Sequence, residues 1–231
     1  MRAVTAGTAL LAMLTLAACG PQDARLDTED QKASYAFGLD VGNQFSPARN
    51  LLDVDAFMKG FQDALSEAEP ALDQAEIQTV MQAFSDRVRE EQMASREADA
   101  TRNREEGAAF LAENGAKEGV TTTESGLQYE VLEPGDGPTP GPTDQVTIHY
   151  RGTLVDGTVF DSSYDAGQPA TFGVGGVIRG FSEGLQLMPV GSKYRFVIPS
   201  ELGYGAQGAG GDIGPDATLI FEVEMLEIAG S

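Results

Sequence analysis

The sequence predicts an α+β protein in which an all-α N-terminal part precedes a small antiparallel sheet wrapped around a short helix. The first half of the chain consists mainly of segments without helix-breaking residues, and N-capping residues stand at their starts, which predicts helices. From Gly126 onward, apolar residues alternate with a period of two, which is typical of strands with one buried face. Phe181, Leu185 and Met188 recur at helical spacing and predict one short helix lying on the sheet.

The extreme N-terminus predicts an exported lipoprotein. Residues 1–18 have the form of a signal peptide, because Arg2 is followed by an apolar run too short to span a membrane. The run ends in Leu-Ala-Ala before Cys19, which resembles the lipobox of bacterial lipoproteins. The resemblance implies that acylated Cys19 holds the chain to a lipid bilayer through a tether at residues 19–27. A chance cysteine beside an ordinary cleavage site is the alternative.

The residue after this cysteine bears on the location. Gly20 is not the acidic residue that commonly retains lipoproteins at the inner membrane, so the resemblance implies an outer membrane anchor facing the periplasm. Cys19 is also the only cysteine, so no intramolecular disulfide can form even in an oxidising compartment.

Residues 28–115 are predicted to be a helical dimerisation domain with a long linker helix. Thr28 and Asp73 each open a capping box, and Asp53 can cap a helix between them. The third helix has no breaker before Gly107 and is expected to continue to the end of this range, over about 60 Å at a rise of ~1.5 Å per residue.

Two expectations follow from the apolar pattern of these helices. Residues 89–106 are polar all round apart from Met93 and a few alanines, which predicts a solvated strut between folded parts. Two short helices and half of the long one are too little to fold alone, so we expect their apolar stripes to bury against a second copy in a homodimer. The alternative is packing onto the C-terminal domain of the same chain, predicted at residues 116–231.

Composition and stray motifs exclude several classes of function. The formal net charge of −21 argues against nucleic acid as a partner, since that polyanion is held by Lys and Arg. The sole histidine, His149, is expected to face solvent opposite Tyr150, which argues against triad or metal chemistry. The segment 203–208 matches G-x-G-x-x-G, but glycines and a strand follow it instead of a helix. We expect no cofactor and no metal.

Aromatic and aliphatic residues with one acid recur through the last eighty or so residues, in order from Tyr150 to Phe221. The set contains no nucleophile, no base with a partner and no metal cluster. It describes an apolar pocket with two or three polar groups. Such a site can bind a substrate and distort its conformation, but it can hardly break covalent bonds. Taken singly, most members read as ordinary core residues, and Asp161 as a turn or helix cap.

Taken jointly, these segments resemble the FKBP-type peptidyl-prolyl cis-trans isomerases. The resemblance is carried by Val146-Thr147-Ile148-His149-Tyr150-Arg151-Gly152, Phe160-Asp161-Ser162-Ser163, Val177-Ile178-Arg179-Gly180-Phe181, Gly203-Tyr204-Gly205 and Thr218-Leu219-Ile220-Phe221-Glu222-Val223. The helical half resembles the N-terminal domain of the macrophage infectivity potentiator group through residues 34–42 and 54–61. That group implies a V-shaped homodimer with the isomerase domains at the ends of long helices.

The resemblance implies a role for each member of the set. The substrate-binding residues would be Tyr150, Phe160, Val177, Phe181, Ile213 and Phe221. The catalytic contributions would come from the Asp161 carboxylate, the Tyr204 hydroxyl and the backbone N–H of Ile178. Phe181 stands where the family usually has a Trp at the pocket floor.

The implied function is acceleration of X-Pro rotation in proline-containing polypeptides of the periplasm or cell envelope, with accessory folding activity. Macrolide inhibitors are possible ligands. A dimeric, non-catalytic periplasmic chaperone whose helical arms hold unfolded clients is the alternative.

Overall fold

A computed structural model describes residues 25–229 of the chain. The chain divides into two compact units, Met1–Ala71 and Leu72–Ser231. The predicted signal peptide and Cys19 lie outside the described residues. Within residues 25–229, no helix is both long enough and apolar enough to cross a membrane.

The first unit contains two helices with the predicted caps. Helix α1 spans Glu29–Gln44 and α2 spans Val54–Leu65, with a short 3-10 segment between them. Thr28 Oγ1 accepts the N–H of Gln31 at 3.2 Å, and the Gln31 side chain accepts the N–H of Thr28 at 3.1 Å. Asp53 accepts the N–H of Ala56 at 2.9 Å. Both caps are confirmed.

The second unit begins with the long helix α3, Gln74–Gly115. The Asp73 carboxylate accepts the N–H groups of Ala75 and Glu76, and the Glu76 carboxylate accepts the N–H of Asp73. The capping box and the predicted end at Gly115 are therefore confirmed. The division of the chain groups this helix with the sheet, whereas its sequence pattern had assigned it to the helical domain.

The solvated strut expected at residues 89–106 is exposed as far as residue 98, but one side of the helix is covered from Asp99 onward. Ala100, Gly107 and Asn114 are buried. A Cβ at position 107 would lie 2.3 Å from Thr218 Oγ1, and Asn114 Nδ2 donates to Gln128 Oε1 at 2.9 Å. The packing face consists of small and amide residues rather than an apolar stripe, which is why the hydrophobic pattern did not indicate it.

Seven antiparallel strands form one sheet in the second unit. They are β1 Val120–Thr122, β2 Gln128–Glu133, β3 Gln145–Leu154, β4 Val159–Ser162, β5 Ala170–Gly173, β6 Lys193–Ile198 and β7 Leu219–Ala229. Their order is β1-β2-β6-β7-β3-β4, with β5 paired to β3 beside β4. Alternation predicted β2, β3 and β7, and Lys193–Ile198 was expected as a further strand. In contrast, β1, β4 and β5, at three or four residues each, are too short to show a period.

The core lies between the sheet and helix α4, Arg179–Leu185. Phe181, Leu185 and Met188 are buried as their spacing predicted, and Phe196 and Val223 from the sheet are fully enclosed. The predicted α+β architecture is confirmed.

Candidate active site

Four aromatic rings from three strands and α4 meet at one end of this core. Tyr150 comes from β3, Phe160 from β4, Phe181 from α4 and Phe221 from β7. The ring centroid of Phe221 lies 6.4 Å from that of Tyr150, 5.4 Å from Phe160 and 4.7 Å from Phe181. The fold therefore brings together four aromatic residues that are spread over seventy positions of the sequence.

The strand geometry at this point depends on Gly152. It pairs with Phe221 across β3 and β7, and with Asp161 across β3 and β4. A Cβ at Gly152 would lie 2.5 Å from the Phe160 ring and 3.0 Å from the Phe221 ring. Both rings can approach the backbone only because position 152 has no side chain.

One hydrogen bond joins the aromatic wall to the predicted acid. The Tyr150 hydroxyl donates to Asp161 Oδ2 at 2.5 Å, and the Asp161 residue is itself exposed. Burial, followed by this hydrogen bond and the charge of the carboxylate, raises the pKa of Tyr150 above its ordinary value. The electrostatic interaction with Tyr204 also raises the pKa of Tyr150. The Tyr150 hydroxyl therefore remains a donor throughout the neutral pH range.

Ser163 and His149 hold the backbone of Tyr150 in place, which the sequence did not indicate. Ser163 Oγ accepts the N–H of Tyr150 at 2.9 Å and lies 3.0 Å from His149 Nδ1. The imidazole stacks on Tyr164 with centroids 4.7 Å apart. The expectation that His149 faces solvent was wrong, because Tyr164 covers its ring and leaves it half-buried.

The remaining predicted residues lie just before α4 and in the loop before β7. Val177 and Ile178 are half-buried and pack on the same apolar cluster, in which Ile213 is buried. Ile178 is the N-cap of α4, where backbone N–H groups have no acceptor inside the helix. Tyr204 is 40% exposed, so its hydroxyl can meet a ligand from solvent.

The arrangement combines apolar walls with a carboxylate, an exposed hydroxyl and the start of a helix. Such a site can enclose an apolar ring and orient the amide beside it. Within residues 25–229, no three His, Cys, Asp or Glu side chains cluster in a way that could hold a metal ion.

Two family matches cover most of the chain. Residues 30–131 match the domain amino terminal to FKBP-type peptidyl-prolyl isomerase, and residues 137–226 match FKBP-type peptidyl-prolyl cis-trans isomerase.

Individual relatives match over nearly their whole length. The outer membrane protein MIP of Legionella longbeachae is 40% identical, with 99% of this chain and 97% of that protein covered. The FKBP-type 22 kDa peptidyl-prolyl cis-trans isomerase of Escherichia coli is 47% identical, with 87% and 97% covered. The crystal structure of FkpA from Escherichia coli superposes with a TM-score of 0.68 at 38% identity, covering 88% of this chain and 98% of that one.

These matches show the class of the protein. One of the relatives is named an outer membrane protein. The chain belongs to the FKBP-type peptidyl-prolyl cis-trans isomerases, in the two-domain group of Mip and FkpA.

Proposed function

We propose that X-Pro bonds rotate in the pocket walled by Tyr150, Phe160, Phe181 and Phe221. The observation that carries this proposal is the convergence of these four rings around Phe221. Val177 and Ile213 complete the substrate-binding set, because both belong to the same apolar cluster. An apolar enclosure of this kind would also accept macrolide inhibitors.

The catalytic effect is differential binding of a twisted amide. Rotation about an X-Pro bond meets a barrier of about 18–20 kcal/mol because amide resonance is lost in the twisted state. That state is less dipolar than the planar amide, so apolar walls favour it more than water does. No covalent intermediate is needed.

Three polar groups orient the amide in this scheme. Ile178, at the start of α4, offers its N–H to a substrate carbonyl, and the exposed Tyr204 hydroxyl offers a second donor. The Asp161 carboxylate fixes the Tyr150 ring and sets a negative charge beside the twisting bond. Phe181 would form the floor, where its ring is smaller than the Trp usual in the family.

The Tyr204→Phe variant tests the role of the exposed hydroxyl. We expect kcat/KM for cis-trans isomerisation of a short Leu-Pro or Phe-Pro peptide to fall by about 3- to 10-fold, as for loss of one hydrogen bond of ~1 kcal/mol. Tyr164→Phe is the matched control, since Tyr164 is 46% exposed and bonds Glu224 outside the pocket. Equal rates in both variants and the wild type would remove Tyr204 from the mechanism.

The homodimer is proposed to form through the apolar face of the first unit. Phe37 and Leu65 are 65% and 73% exposed, and α1 and α2 line an apolar groove of about 860 Å³. Contiguous apolar surfaces of this kind are seldom exposed to solvent in a monomer. A second copy of the same unit would cover them.

A non-catalytic chaperone function is the second candidate. It is favoured by apolar side chains on the first part of α3, where Val80, Met81 and Met93 are 49%, 56% and 72% exposed. Such flexible methionines suit binding to varied unfolded clients. This function would survive loss of the pocket's polar groups, whereas isomerisation would not.

The location is proposed as a lipid anchor through Cys19 at the outer membrane, facing the periplasm. The lipobox-like sequence before Cys19 supports this assignment. We expect the Cys19→Ser chain to lose incorporation of labelled fatty acid and to shift from the membrane fraction to the soluble fraction. A variant that still carries labelled fatty acid would contradict the assignment.

A further inference from the structure

The loop at residues 203–216 carries two predicted site residues, Tyr204 and Ile213, on a backbone that is poorly suited to hold them. Six of its fourteen residues are glycine. Gly205, Gly208, Gly210 and Gly211 have positive φ between 56° and 73°, and Asp216 adopts φ of 54°. A chain of this composition loses much conformational entropy when it is fixed, so contacts from outside the loop are needed to order it.

Helix α3 supplies such contacts at both ends of the loop. Arg96 donates to the carbonyl oxygens of Ala206 at 3.3 Å and Gln207 at 2.9 Å. Asn103 Nδ2 donates to the carbonyl oxygen of Pro215 at 2.8 Å. Three of the loop's backbone carbonyls are thus satisfied by side chains of one helix more than 100 positions earlier in the sequence.

An ion pair and a close approach complete the attachment. Arg104 Nη1 lies 2.7 Å from Asp216 Oδ2, and the Asp216 side chain is only 13% exposed. Asp216 in turn donates its N–H to the carbonyl of Gly205 at 2.9 Å, which closes the base of the loop. A side chain at Gly214 would meet Asn103 Nδ2 at 3.2 Å, so the loop lies directly against the helix.

The helical residues concerned share one face. Positions 96, 100, 103 and 107 are spaced by three or four residues, and Arg104 follows Ala100 by four. Ala100, among the polar residues, and Gly107, after them, are the buried members of this face. The same face continues to Leu111, whose carbonyl accepts from Gln128 Nε2 at 2.8 Å. The α3 face is therefore a continuous docking surface for the sheet and the loop.

We propose that the second half of α3 positions the active-site loop, with Arg96, Asn103 and Arg104 as positioning residues for Tyr204 and Ile213. The inference rests on the role proposed for Tyr204 above. The long helix, which the family resemblance implies is a linker, would thereby contribute to isomerase activity. Its side chains touch no substrate and act through the loop.

The test compares the full-length protein with its Asn103→Ala/Arg104→Ala variant. We expect amide hydrogen exchange to accelerate about tenfold or more in residues 203–216 while β6 and β7 keep their protection. We expect kcat/KM on the peptide substrate to fall about 3- to 10-fold, because small misplacements of a contact group are costly. Arg89→Ala is the matched control, since within residues 25–229 the hydrogen bonds of Arg89 stay inside α3, to Asp86 at 2.9 Å and to Ser85.

A double-mutant cycle separates positioning from general stability. Tyr204→Phe is introduced into the wild type and into the Asn103→Ala/Arg104→Ala chain. If α3 positions the hydroxyl, Tyr204→Phe costs much less in the second background than in the first. Arg104→Lys, which keeps the charge opposite Asp216, is expected to retain most of the activity. Arg96→Ala gives the same comparison with a single exposed residue if the double variant unfolds.

An unchanged exchange rate in the loop, or an equal cost of Tyr204→Phe in both backgrounds, would overturn the positioning role while leaving the proposed pocket intact. A Tyr204→Phe substitution that costs nothing in the wild type would instead remove Tyr204 from the proposed mechanism, and the positioning role with it.

Discussion

Asp161→Leu is expected to lower kcat/KM on a Leu-Pro or Phe-Pro peptide by about 10- to 100-fold, in the range seen for loss of one preorganised electrostatic group. The substitution removes the negative charge beside the twisting amide. It also leaves the buried Tyr150 hydroxyl without its acceptor at 2.5 Å. The measurement is the rate of cis-trans isomerisation with the purified full-length chain.

Asp161→Asn separates these two contributions. Its side-chain oxygen can still accept the Tyr150 hydroxyl, so it removes the charge and keeps the hydrogen bond. Asp165→Leu is the matched control, because Asp165 is an exposed acid four residues further along the same segment. If Asp161→Leu and Asp165→Leu are equally active, the carboxylate has no part in catalysis.

The same variants distinguish the enzyme from the chaperone. Suppression of aggregation of an unfolded client is expected to be unchanged in Asp161→Leu if the exposed residues of α3 hold the client. A parallel loss of both activities would place client binding in the pocket instead. No isomerisation by the folded wild type would move the chaperone function to first place.

Gly152→Ala is expected to destabilise the sheet unit by about 1–3 kcal/mol, as is usual for overpacking. The added methyl would meet the Phe160 ring at 2.5 Å and the Phe221 ring at 3.0 Å, so both walls of the proposed pocket must move. A shift of this kind is expected to lower kcat/KM by about tenfold or more. Chemical denaturation gives the free energy of unfolding, and the peptide assay gives the rate.

Gly173→Ala is the control for this substitution. Gly173 also lies in a strand of the sheet, but an added Cβ there has no heavy atom within 4 Å. We expect its stability and its activity to remain close to those of the wild type. Wild-type stability and activity in Gly152→Ala would show that the rings are not held as closely as their contacts indicate.

Local rules predicted the helix boundaries and the longer strands. Capping boxes at Thr28 and Asp73 are short-range signals that no tertiary contact overrides, so they can be identified directly from the sequence. A strand such as β3, ten residues long, shows its alternation clearly. In contrast, β5 has only four residues, and its existence depends on pairing with β3.

The packing of α3 could not be predicted because its contact face is not apolar. Burial there depends on Gly107 fitting against Thr218, and on Asn103 and Arg104 finding partners in a distant loop. Hydrophobic periodicity detects the burial of large apolar groups and is insensitive to docking by glycine and amides.

The candidate site could be predicted only from all of its sequence segments taken together. Tyr150 and Phe221, taken alone, have the pattern of ordinary strand residues, and nothing local indicates that their rings lie 6.4 Å apart. The order and spacing of all the segments together made the resemblance specific. The support of Tyr150 by Ser163 and His149 was missed, since it depends on how β3 is covered by the segment after β4.

The attachment of α3 to the loop also bears on the shortest gene segment that would encode a fully active isomerase. A gene segment that starts where the sheet starts, at residue 116, would encode every predicted pocket residue and yet lack Arg96, Asn103 and Arg104. Recombination that exchanged the helical arm between relatives would separate the loop from the side chains that bind it in this chain. If α3 positions the loop as proposed, a truncation that keeps full activity must begin inside α3, N-terminal to Arg96, rather than at the end of the helix.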